Sequence, residues 1–182
     1  NRWPAKKHDH FLIPAGTVHC SAPGCMVLEI SATPYIFTFK LWDWGRVGLD
    51  GIPRPIHLEH GKHNIRFDRT TGWVKENLVS PVTVLHDGDD YVCEKTGLHE
   101  YEFIETRRYS FADSVEITTP GSVLMANLVD GDEILIESAD DSFEPFEVHY
   151  AETFIIPEQL KKVRFVSKNG SDVKVLVANV RV

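Results

Sequence analysis

The chain has 182 residues, of which 42% are hydrophobic and 25% charged, with a formal net charge of −8. This is the composition of an ordinary globular chain, long enough for one large or two small domains. The acidic balance argues against a nucleic-acid partner, which needs a basic face against phosphate, and no apolar run is long enough to imply a membrane partner.

The N-terminal Asn1-Arg2-Trp3-Pro4-Ala5-Lys6-Lys7 is not followed by the apolar region and small-residue cleavage site of a signal peptide. Cys20, Cys25 and Cys93 are too few and too irregularly spaced for a disulfide framework. They read as reduced thiols in a cytoplasmic protein.

In chain order, the first signal is Phe11-Leu12-Ile13, which enters Pro14-Ala15-Gly16 and emerges through Thr17-Val18 into His19. Strand, Pro/Gly corner and second strand is how a small β-barrel brings one imidazole to its mouth. A neutral imidazole is a common ligand for zinc-like ions, but a metal needs three or four ligands. Strands are also expected over 27–30 and 35–42. The last of these ends on Lys40 and leads into Trp42-Asp43-Trp44-Gly45-Arg46. Residues 45–55 carry several Gly and Pro and read as a loop.

Two helices follow, over 56–66 after Arg54-Pro55 and over 73–78 with Thr70 or Thr71 as cap. His57, His60 and His63 lie at i, i+3 and i+6, each step turning about 300° around a helix. That spacing suits a solvated helix face better than a zinc motif.

From Val82 onward short strands recur about every ten residues, an all-β pattern. They are expected at 82–86, 99–107, 113–118, 122–129, 133–138, 145–149, 153–156, 162–167 and 172–180. Asn169-Gly170 is the best hairpin turn. His99-Glu100-Tyr101-Glu102 would put two carboxylates on one strand face, read as an exposed acidic face. One internal echo stands out: Asp9-His10-Phe11-Leu12-Ile13-Pro14 reappears as Glu152-Thr153-Phe154-Ile155-Ile156-Pro157. The second copy is not followed by a histidine. It suggests two barrels of one architecture.

Four segments together, Phe11 to His19, Val27-Leu28-Glu29, Trp42 to Arg46 and Pro55-Ile56-His57-Leu58-Glu59, resemble the type I mannose-6-phosphate isomerases, in particular the short bacterial branch built from cupin barrels. The resemblance covers residues 8–66. It implies an all-β cupin, or jelly-roll, fold: the C-terminal part of a metal-binding barrel over 1–50, a helical connector over 51–80, and a complete, degenerate barrel over 81–182. It also implies a zinc-dependent aldose–ketose isomerase acting on a sugar phosphate, mannose 6-phosphate to fructose 6-phosphate.

The resemblance assigns His19 as one zinc ligand. The others, a Gln-x-His pair and a Glu in the family, have no counterpart before His19 and are expected outside this chain. They would come from a missing N-terminal half, or the barrel would be completed by a second copy. The family's arginine about twenty residues after the zinc histidine is matched by Lys40, which keeps the charge but loses the bidentate fork. Lys40 is therefore the candidate catalytic cation and Arg46 a candidate substrate-binding residue. The chain alone is expected to be inactive, and the rival reading is a non-catalytic sugar-binding or regulatory cupin protein.

Overall fold

The computed structural model describes residues 2–31, 38–79, 82–96 and 102–181. The chain divides into two compact units, Asn1–Val79 and Ser80–Val182. No described helix is long and apolar enough to cross a membrane.

The second unit is built of ten strands: β1 Thr83–Asp87, β2 Tyr91–Thr96, β3 Ile104–Phe111, β4 Ser114–Thr118, β5 Leu124–Asp130, β6 Glu133–Ser138, β7 Phe146–His149, β8 Thr153–Ile156, β9 Lys162–Ser167 and β10 Val173–Val180. They form two antiparallel sheets, one ordered β1-β2-β3-β10-β5-β8 and the other β4-β9-β6-β7. From β3 onward nearly every connection passes from one sheet to the other, and only β6–β7 is a hairpin. This is the expected cupin-type jelly roll, in which alternate strands feed opposite walls of one core.

Side-chain alternation decides which face is buried. In β9, Val163 and Phe165 are fully buried while Lys162 and Arg164 are exposed. Ile134 and Ile136 of β6 and Val173 and Val175 of β10 complete the same core. Phe154 on one sheet meets Phe165 on the other edge to face, centroids 5.6 Å apart. The opposite face of β9 carries a charge ladder: Lys162 to Glu116 at 2.6 Å on one side and Arg164 to Glu137 at 2.6 Å on the other. Such cross-strand pairs favour one register while keeping that face in water.

Two expectations change. Asn169-Gly170 is a tight turn, with Gly170 at φ 62°, but not a hairpin, because β9 and β10 lie in different sheets. The turn residues specify a reversal; which wall the chain joins next is set by the core. β2 was not expected at all. Its Glu94-Lys95 pair weakens the strand signal, and it is made by pairing on both sides, to β1 and β3. Its Thr96 hydroxyl meets that of Thr106 at 2.5 Å in a buried position. At the β5–β6 crossing Gly131 has φ 96°, and a Cβ there would lie 2.6 Å from Val173 Cγ1; only glycine fits.

The first unit carries two short helices, α1 Leu58–Asn64 and α2 Thr71–Asn77. Helix α1 begins later than expected because His57 is engaged in an extended pairing: its N–H donates to Lys40 O at 2.8 Å and its Nδ1 accepts Lys40 N–H at 3.1 Å. The strands expected at 11–14, 17–20 and 27–30, and the described part of 35–42, are absent as ladders. Phe11 makes a single bridge to Val79, and Val47 one to Pro53. Strands exist only through pairing, and the described residues of this unit give these extended segments no continuous partner.

The sequence echo is also an echo of backbone geometry. In the first copy Asp9 N donates to Lys6 O at 3.1 Å, the Asp9 carboxylate accepts Lys6 N–H at 2.8 Å, and the preceding His8 is left-handed at φ 71°. In the second, Glu152 N donates to His149 O at 3.0 Å, the Glu152 carboxylate accepts His149 N–H at 2.7 Å, and Ala151 has φ 65°. Both copies end in a proline-initiated turn, Thr17 N to Pro14 O and Leu160 N to Pro157 O. A constant offset matches His19 to Lys162, which is exposed and paired with Glu116, while the neighbouring inward position is the apolar Val163. The 80–182 unit therefore has no metal ligand at this place.

Phe165→Ala is expected to destabilise the fold by about 3–5 kcal/mol through cavity formation. Ala151→Gly should stabilise it by about 1 kcal/mol by relieving a left-handed alanine. Urea unfolding followed by near-UV circular dichroism measures both shifts.

Candidate functional site

The His19 segment is held by its backbone. Gly16 has φ 84°, and a Cβ there would stand 2.8 Å from both Arg66 Cγ and Asn64 O. Arg66 N donates to Gly16 O at 2.9 Å. Arg69 reaches across with Nη1 to Pro14 O at 3.0 Å, Ala15 O at 2.7 Å and the Thr17 hydroxyl, and its guanidinium lies 4.7 Å from the Trp73 ring centroid.

Beyond this turn His19 is exposed, with Nδ1 2.9 Å from Thr17 O. A carbonyl only accepts, so Nδ1 carries a proton, and in the neutral ring Nε2 keeps its lone pair. That tautomer, fixed by a backbone carbonyl, is the one a metal-binding imidazole needs. No three-ligand group among the described residues includes His19. His19 thus fits a metal as one ligand, and the described residues do not complete the set.

Lys40 and Arg46 belong to a braced loop. Asp43 is 4% exposed and is gripped by Arg54, Nε to Oδ2 at 2.6 Å and Nη2 to Oδ1 at 2.7 Å. Arg46 N donates to Asp43 O, Arg54 N to Arg46 O, and Gly48 N to Ile52 O, at 2.8–2.9 Å. The Arg54 guanidinium, followed by the nearby Lys40 charge, holds the Asp43 carboxyl below the usual aspartate range despite its burial.

Lys40 Nζ lies 3.6 Å from Asp43 Oδ1 and is part-exposed. Arg46 stacks over Trp44, 5.0 Å from the ring centroid, and Trp44 itself is left-handed at φ 52°. The structure thus joins Lys40 and Arg46 through Asp43. No hydrogen bond or ion pair links either of them to His19. Arg54 is visible in sequence as one of the basic residues near Lys40 and Arg46, whereas Asp43 and Arg69 were missed as site-building residues. The signal in hindsight is an aspartate set between two tryptophans, with a cation just past the loop.

The remaining candidates are bland. His60 and His63 are exposed, and Lys62 pairs with Glu59. Cys20 and Cys25 are exposed free thiols. His99, Glu100 and Tyr101 lie outside the described residues.

Sequence reading also missed a second cluster. Glu133, Glu147 and His149 offer ligand atoms within 4.8 Å of one another, a mixed oxygen–nitrogen group that could hold a metal ion. Register explains the convergence: Glu133 pairs with His149 across β6–β7, and Glu147 is on the same face two residues away. Lys168 already serves them as a cation, with Nζ 3.0 Å from Glu133 and 2.5 Å from Glu147. Its ammonium is held above the usual lysine range, first by the hydrogen bond to Glu147 and then by that to Glu133.

No family model matches the chain. Over 157 residues it is 22% identical to the Bacillus subtilis (strain 168) protein named "Putative mannose-6-phosphate isomerase YvyI", covering 85% of this chain and 45% of that protein. It is 21% identical over 162 residues to the mannose-6-phosphate isomerase of Streptococcus mutans serotype c, covering 89% of this chain and 46% of the relative. The chain thus spans about half the length of the curated relatives it matches. The crystal structure of the mannose 6-phosphate isomerase from Bacillus subtilis superposes with a TM-score of 0.55 at 13% identity, covering 76% of this chain and 39% of that one. The chain resembles mannose-6-phosphate isomerases in sequence, and it shares a fold with one.

Two outcomes follow from this geometry. A depressed Asp43 pKa means the brace contributes fully above the unfolded aspartate value near 4 and is lost as pH falls through the lower folded value. Tryptophan fluorescence from Trp42 and Trp44 should therefore hold steady through pH 4 and change below it. In Asp43→Asn that acid transition should be missing. At the second cluster, Lys168→Ala should raise zinc affinity at least about tenfold by freeing two carboxylates, read by equilibrium dialysis.

Proposed function

We propose that the chain is part of a zinc-dependent aldose–ketose isomerase that interconverts mannose 6-phosphate and fructose 6-phosphate. The carrying observation is His19, held on a braced turn with its metal-competent Nε2 exposed, in a chain similar to mannose-6-phosphate isomerases. On this reading residues 1–50 belong to a metal-binding barrel, 51–80 connect, and 81–182 form a degenerate barrel. The other zinc ligands and the strands that pair with 11–14, 17–20 and 27–30 come from another segment or from a second copy. Exposed Val18, Met26 and Val27 give such a partner apolar surface to cover. The setting is cytoplasmic, in keeping with free thiols.

The described residues do not complete a zinc site. The chain's own contribution is electrostatic. Lys40, tethered to Asp43, offers a cation to charge that develops on substrate oxygens. Arg46, held against Trp44 and with no carboxylate partner among the described residues, would bind phosphate. The rival, a sugar-binding cupin protein without catalysis, is favoured by one observation, the lysine at position 40 where the family carries arginine.

The test is zinc analysis and an isomerase assay on the complete gene product. One zinc per chain with turnover of mannose 6-phosphate is expected. Lys40→Ala should lower kcat by about 100-fold and Lys40→Arg should recover most of it. Stoichiometric zinc with no sugar-phosphate turnover would sink the enzyme reading and leave the binding protein.

A further inference from the structure

Away from the Glu133, Glu147 and His149 group, the 80–182 unit holds a second polar cluster, on the inward face of β3 and β10. Register places Tyr109 of β3 opposite Cys93 of β2 and Val175 of β10, and Arg107 opposite Val177. Arg107 and Tyr109, with Asn179 at the end of β10, line a cavity of about 30 Å³ whose other walls include Thr118, Leu124 and Val177. Arg107 Nε donates to Glu105 Oε1 at 2.6 Å, and the Arg107 side chain remains 42% exposed. Tyr109 lies beside Cys93 across the β2–β3 register and close to Arg107. Burial, reinforced by Cys93, pushes the Tyr109 phenol up to about 12, so it remains a donor throughout the physiological range. Asn179 Nδ2 has one weak bond, to Val180 O at 3.3 Å.

Donors dominate this space. Arg107, Tyr109 and Asn179, with Thr118, supply its polar lining, no carboxylate among the described residues lines it, and nearby Glu105 is already engaged by Arg107. A metal cation is therefore the wrong guest, and an acceptor-only group is the right one. Size narrows the class. The cavity holds roughly two waters, which the two oxygens of a carboxylate replace; a phosphate or a sugar ring is larger.

We propose that the mouth of the second barrel is a binding site for the carboxylate group of a small molecule, held by Arg107, Tyr109 and Asn179. The site is independent of the isomerase reading and would stand if that reading failed.

Ligand-observed NMR titration of the full chain with acetate, at constant ionic strength in chloride, tests it. Saturable binding with a dissociation constant of about 1 mM is expected. Tyr109→Phe and Arg107→Lys should each weaken it about tenfold. Asn179→Asp, nearly isosteric, should abolish it by charge repulsion. Inorganic phosphate should bind more weakly than acetate. Absence of saturation, an affinity unchanged in variants whose thermal unfolding matches wild type, or phosphate binding as tightly as acetate would each overturn the proposal.

Discussion

Everything in residues 80–182 depends on burying one face of each of two sheets against the other. Phe165, Ile134, Ile136, Val163, Val173 and Val175 are 1% exposed or less. Each such side chain contributes about 1.5–3 kcal/mol by leaving water, whereas a surface ion pair on the outer face contributes about 0–1 kcal/mol. The apolar contact therefore dictates the topology. Strands adjacent in sequence are sent to opposite walls because both walls need the same supply of inward Val, Ile and Phe. The charged outer ladder of Lys162, Arg164, Glu116 and Glu137 refines register within that arrangement.

This hierarchy explains what could be read from sequence. Period-two alternation in Lys162-Val163-Arg164-Phe165 reports burial directly, and the β-branched apolar run Ile134-Leu135-Ile136 marks a strand by composition, so both are legible. Asn169-Gly170 reports only a local reversal, and the choice between hairpin and crossing is made by residues far away in the chain. Tyr91–Thr96 has little alternation of its own, and two neighbouring strands complete it. In the first unit, Phe11-Leu12-Ile13 and Val27-Leu28-Glu29 have strand-like composition without a ladder. Composition reports a preference for extended backbone; pairing is a property of what lies beside it.

The candidate site was legible to a similar degree. His19 could be picked out because a Pro/Gly corner precedes it, and the structure adds the tautomer through Thr17 O. Lys40 and Arg46 were visible as cations. The aspartate that ties them together was not, because a buried Asp43 gripped by Arg54 looks in sequence like any loop acid. The Glu133, Glu147 and His149 group was equally hidden, since its members come from two strands whose pairing, Glu133 with His149, is a fact of register. Clusters made by register leave no spacing to read.

The turn that precedes each copy of the echo has a wider consequence. At Lys6–Asp9 and again at His149–Glu152, the fourth residue accepts the first residue's N–H through its carboxylate and donates its own N–H to that residue's carbonyl. Such a turn satisfies itself and asks nothing of its surroundings. It can therefore outlast changes in the residues it delivers, so that one copy leads to an imidazole and the other to a surface lysine. An acid guarding a left-handed residue is then a more durable landmark of the echo than any ligand, and the place from which its two copies are best aligned.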